Sequence, residues 1–98
     1  MIDLAPEHRQ TIVGILKTIT PSTPVWIFGS RITKNAKPFS DVDLVLKGDH
    51  LMPDLVMTKL RDAFDESNLP YQVDLIDWHN ISLEFRSLIE KKFERLIS

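Results

Sequence analysis

The sequence predicts a small α/β (α+β) fold, a mixed three-stranded core sheet flanked by helices, and three observations carry that prediction. Val25-Trp26-Ile27-Phe28 is a continuous apolar run rich in β-formers, as expected of a strand buried on both faces. Two later segments, Asp41–Leu46 and Tyr71–Ile76, alternate polar and apolar residues with the two-residue period of a strand. Between and around them, apolar residues recur at helical spacing. The expected order is α-β-(short α)-β-α-β-α.

Each element has its own local reason. Pro6 suits the first turn of a helix, Ile12, Val13, Leu16 and Ile19 give it an apolar stripe, and Pro21 and Pro24 stop it. Gly29-Ser30 closes the first strand, and the polar, basic stretch from Arg31 to Phe39 reads as a loop with one helical turn. Gly48-Asp49-His50 is a turn, and Pro53 opens a helix whose stripe is Val56, Leu60, Ala63 and Phe64, ending near Asn68 and Pro70. In the third strand Val73 and Leu75 share one face, and Gln72, Asp74 and Ile76 the other. Ser82 caps a last helix, in which Phe85, Leu88, Ile89, Phe93 and Leu96 recur at helical spacing. Its mixed charges form a solvated face, while its surplus of large apolar residues points to a docking partner.

Composition narrows the function classes. The 98 residues, 43% apolar and 27% charged, suit one domain over 1–98 with a modest core. A net charge of -2 gives no basic footprint for nucleic acid. With no cysteine, thiolate metal sites and thiol nucleophiles are excluded. No apolar run reaches membrane-spanning length and the N-terminus does not read as a signal peptide, so a soluble cytoplasmic protein is expected.

The chemistry concentrates in three acids and one corner. Asp41 and Asp43 are two residues apart on one strand and therefore point the same way, opposite Val42, Leu44 and Leu46. Like charges side by side repel, and a cation between them relieves this. If the third strand lies beside the second, Asp74 joins the same face. An all-oxygen trio suits Mg²⁺ or Mn²⁺ shared with substrate phosphates. A glycine just past a buried strand permits close backbone approach, and Ser30 beside it offers a hydroxyl and free N–H groups to phosphate oxygens. The structural alternatives are polar-out alternation for the acids and a helix N-cap for Ser30. Asp77 has the wrong parity for the trio and suits a cap on the following turn. His8, His50 and His79 have no metal-ligand spacing, and Trp26 and Trp78 read as packing.

Gly29-Ser30, ten intervening residues, then Asp41-Val42-Asp43 resembles the Gly-Ser/Asp-x-Asp signature of the polymerase-β-type nucleotidyltransferases. More narrowly, the chain is similar to the minimal nucleotidyltransferases. The likeness extends over Val25 to Arg31, Ser40 to Leu44, Leu69 to Trp78 and Phe85-Arg86. It implies the nucleotidyltransferase fold, with Asp41, Asp43 and Asp74 as metal-binding catalytic acids. Gly29, Ser30, Arg31 and Ser40 become nucleotide or phosphate contacts. It further implies Mg²⁺- or Mn²⁺-dependent transfer of a nucleoside monophosphate, typically AMP from ATP, to a hydroxyl. In some relatives the acceptor sits on a helical HEPN-class toxin, and the small protein is its antitoxin. The chain departs from the pattern at Thr33 and Lys34, where many members carry arginine and glycine; Arg31, Lys34 and Lys37 are the candidates to hold the triphosphate. A chain this short leaves one wall of the site unbuilt, to be completed by a partner or a second copy. The competing reading is a non-catalytic antitoxin that masks its helical partner. A Ca²⁺ or nucleotide sensor fits less well, because the acids lack one-loop spacing.

Overall fold

Strand β1 (Val25–Phe28) lies inside a four-stranded sheet in the computed structural model, which describes residues 2–33 and 35–98. Its neighbours are β2 (Val42–Leu46) and β4 (Glu94–Ile97), both antiparallel to it, and β3 (Val73–Asp77) lies parallel to β2 at the far edge. The sheet order is β3-β2-β1-β4.

The fourth strand corrects the sequence reading. Helix α4 covers Leu83–Lys91 only, and Phe93 and Leu96 belong to the chain that pairs with β1. Three residues apart, they would share a helix face, yet here they enter different cores. Phe93 stacks on Trp26 with ring centroids 3.9 Å apart, whereas Leu96 joins the core beneath the other face. A register shift between Val25 and Trp26 accommodates an extra residue in β4, the behaviour of a β-bulge. Two boundaries also move: β2 begins at Val42, leaving Asp41 just ahead of it, and β3 runs from Val73 rather than Tyr71.

Helices α1 (Pro6–Ile19) and α3 (Asp54–Asp65) pack together on one face of the sheet. Ile12 and Leu16 from α1, and Met57, Leu60 and Phe64 from α3, close over Val25, Ile27, Val42, Leu44, Leu46 and Leu75. Full burial of such a side chain contributes about 1.5–3 kcal/mol. Helix α1 stops where the backbone N–H and hydroxyl of Thr20 both donate to the Leu16 carbonyl, just before Pro21.

The opposite face carries a second, smaller core of Val45, Trp78 and Ile89, with Trp26, Phe28, Ile76, Ile81 and Phe93 around it. It is built by α4 and the 3₁₀ turn Trp78–Asn80. Ser82 caps α4, accepting from the Phe85 N–H at 3.1 Å. This second layer covers only part of its face, and the end carrying the acids remains open.

Candidate active site

The corner after β1 is built around one glycine. Gly29 has φ of 80°, a left-handed conformation that side chains resist. A Cβ added there would collide with the Asp43 carboxylate. This follows from the register, because Phe28 is the antiparallel partner of Asp43 and the chain turns immediately afterwards. One turn of helix, α2 (Ser30–Thr33), then begins at Ser30 itself, with the Ile32 N–H donating to the Gly29 carbonyl at 3.1 Å. Ser30 therefore opens the turn rather than flanking it.

Asp43 on β2 stands in register with Asp74 on the parallel strand β3. Neighbouring strands are about 4.8 Å apart, so the two carboxylates leave the same face side by side. Asp41 precedes the strand by one residue and is exposed. The acidity of Asp43 shows the crowding: its carboxyl is pushed up to about 6, first by burial, then by the charges of Asp74 and Asp41. A groove of about 580 Å³ takes in Asp43 and Asp74 and is lined as well by Phe28, Phe85, and Arg61 and Asp65 of α3.

These residues fit a divalent cation by donor chemistry. The donors are carboxylate oxygens without nitrogen or sulfur, which select Mg²⁺, Ca²⁺ or Mn²⁺ over zinc or copper. Among the described residues, no three ligand groups are already drawn together as a metal cage. The electrostatics nonetheless couple all three acids at Asp43, whose carboxyl is raised by burial first and then by Asp74 and Asp41.

Arg31 departs from the expected phosphate contact. It is only 5% exposed, and its guanidinium donates to the main-chain carbonyls of Asp3 (3.2 Å), Pro38 (3.3 Å) and Ser40 (2.7 Å). Its planar group lies 4.5 Å from the ring centre of Tyr71. The Arg31 Nε and the Tyr71 hydroxyl are buried without a hydrogen-bond partner among the described residues. Burial raises the Tyr71 pKa, opposed by the Arg31 charge. The Ser40 hydroxyl closes a turn, accepting from the Lys37 N–H at 2.8 Å, while Lys37 itself is exposed. Lys34 lies outside the described residues.

Asp77 has the position its parity indicates, buried away from the acids. Its carboxylate accepts from the His79 N–H, capping the 3₁₀ turn, and from the Met52 N–H. Sequence reasoning missed Arg61 and Asp65 as groove residues and Tyr71 as the platform under Arg31. On a solvated helix face, nothing in spacing alone marks the pair that meets a sheet edge.

A mixed sheet with acids in register on adjacent strands, beside a glycine-serine corner, is the arrangement of the nucleotidyltransferase class. Residues 10–98 match the family model described as polymerase beta, nucleotidyltransferase, and the chain belongs to this family. Over 92 residues it is 38% identical to a probable protein adenylyltransferase MntA of Haemophilus influenzae, covering 94% of this chain and 81% of that protein. Two solved structures share the fold. One is a toxin-antitoxin with AMP-PNP (TM-score 0.74, 20% identity, covering 90% of this chain and 71% of that one). The other is the toxin-antitoxin MntA-HepT (TM-score 0.60, 21% identity, covering 94% and 71%). The minimal nucleotidyltransferase resemblance is thus shown.

Proposed function

We propose that this chain transfers AMP from ATP to a hydroxyl presented by a helical HEPN-class partner, as the antitoxin of a cytoplasmic toxin-antitoxin pair. The observation that carries this reading is the in-register pair Asp43 and Asp74, with Asp43 against Gly29 and feeling both other acids. The adenylyltransferase relative supports the reaction type, and the toxin-antitoxin structures support the pairing.

In this reading Gly29 and Ser30 lie against the triphosphate, where the backbone turn and a hydroxyl at its start favour phosphate oxygens. Asp41, Asp43 and Asp74 are the residues that would hold Mg²⁺ or Mn²⁺. When bound, that cation neutralises phosphate charge and acidifies the acceptor hydroxyl. Asp74, on the outermost strand, orients the acceptor and takes up its proton. The acceptor oxygen bonds to the α-phosphorus, the bond from that phosphorus to its bridging oxygen breaks, and pyrophosphate leaves. The groove is open on one side, and Leu83 and Leu88 on α4 are exposed near Phe85, which lines it. A partner covering these residues would complete the wall and exclude water.

The test combines the purified chain, the helical protein encoded beside it, Mg²⁺ and ATP labelled at the α-phosphate. Label on the partner, lost in Asp43→Asn and Asp74→Asn, is the expected result. An inhibited but unlabelled partner would instead establish masking without catalysis.

A further inference from the structure

We infer that Arg31 is the positioning residue of the acidic site: its buried guanidinium ties down the Pro38 and Ser40 carbonyls and so fixes the peptide that delivers Asp41. The inference rests on the proposed metal role of Asp41.

The geometry is specific. Arg31 sits in α2, one residue past Ser30, and holds three main-chain carbonyls from two separate stretches of chain. The N-terminal segment returns the contact, with the Asp3 N–H donating to the Arg31 carbonyl at 2.7 Å. At 2.7 Å, the Ser40 carbonyl accepts the shortest of the three guanidinium bonds. That carbonyl belongs to the planar peptide whose nitrogen is Asp41's own, so holding it limits where the Asp41 Cα can lie. One residue further on, the Val42 N–H donates to the Gln72 carbonyl at 2.9 Å. Asp41 is thereby held on one side by Arg31 and on the other by the sheet.

Burying a guanidinium is costly unless its donors are satisfied. Here carbonyls satisfy Nη1 and Nη2, and the Tyr71 ring covers the planar group. Nη1 and Nη2 are therefore committed inside the fold and face no phosphate. Arginine suits the task because its rigid fork reaches several acceptors at once, which a lysine ammonium on a flexible stem does not reproduce. Asp43 needs no such device, since the β-ladder holds it on both sides.

The test compares wild type with Arg31→Lys, Tyr71→Leu and Asp41→Asn by two readouts. The first is amide hydrogen exchange in the metal-free protein at Lys37, Ser40 and Val42, whose N–H groups are all bonded in this turn or at its junction with the sheet. The second is Mn²⁺ binding followed by electron paramagnetic resonance, with and without ATP. In Arg31→Lys these amides should exchange about tenfold faster while β1 amides stay protected. Mn²⁺ affinity should fall about tenfold, and ATP affinity without metal should stay within about twofold. Tyr71→Leu, which keeps the donors and removes the platform, should give a smaller change of the same kind. Asp41→Asn should lose Mn²⁺ affinity with the exchange unaltered. Unchanged exchange in both Arg31→Lys and Tyr71→Leu would overturn the inference. So would weakened metal-free ATP binding with the turn intact, which would make Arg31 a direct phosphate contact. Should Arg31→Lys fail to fold, Tyr71→Leu decides by the same criteria. A wild type that takes up no Mn²⁺ would overturn the metal reading of Asp41 only, and the exchange rates would then decide whether Arg31 holds the turn.

Discussion

Gly29 and Asp43 are in such close contact that the carboxylate of one occupies the space a side chain on the other would need. The glycine therefore serves the acid directly. Gly29→Ala should cost about 1–3 kcal/mol from the left-handed backbone alone. Displacement of Asp43 should reduce transfer at least about a hundredfold. Chemical denaturation beside a transfer assay checks both. Wild-type activity in Gly29→Ala would mean the contact is incidental.

The raised Asp43 carboxyl predicts a pH signature. Unfolded, it titrates near 3.8; folded, near 6. The native state therefore holds the proton more tightly. Its contribution to stability is fully present below the lower value and lost as pH rises through the upper one. Because the group is half-exposed, the effect should be about 1–2 kcal/mol at most. Denaturation of Asp43→Asn should show a flatter pH dependence between these values than wild type. The variant should also be more stable at neutral pH, where a repulsion has been removed. Adding Mg²⁺ with a triphosphate should move the Asp43 titration downward, as seen by carboxyl chemical shifts. An unmoved titration would separate Asp43 from the metal.

Leu44, next to Asp43, points into the core under α1 and α3 and is completely buried. Leu44→Asp should bury an unpaired charge costing about 4 kcal/mol or more, enough to unfold a small domain. Circular dichroism should show loss of the cooperative transition, in contrast to folded Asp43→Asn. A native-like melt in Leu44→Asp would show that the assigned strand register is wrong.

The stacked pair Trp26 and Phe93 holds β4 to the second core. Phe93→Ala should destabilise the protein by about 1–3 kcal/mol and alter tryptophan fluorescence. A variant as stable as wild type, with unchanged fluorescence, would remove this strand from the core.

The acids and the glycine corner were legible because strand parity is a two-residue rule. Alternation set Asp43 opposite Leu44 and Asp74 opposite Leu75, and the parallel pairing of β2 with β3 brings the two acids side by side. Strand β4 was not, because Phe93 and Leu96 continue the 3.6-residue period of α4 beyond its end. The buried place of Arg31 was not legible for a different reason. An arginine after Gly-Ser is equally suited to anions and to carbonyls, and only the return of the chain through Pro38 and Ser40 decides between them.

Asp43 and Asp74 should bind divalent metal together with a nucleoside triphosphate. Calorimetric titration of Mn²⁺ into the protein saturated with a non-hydrolysable ATP analogue tests it most directly. Metal uptake that depends on the analogue, and is lost in Asp43→Asn and in Asp74→Asn, is the predicted result. Nucleotide binding that ignores Mn²⁺ and both substitutions would contradict it.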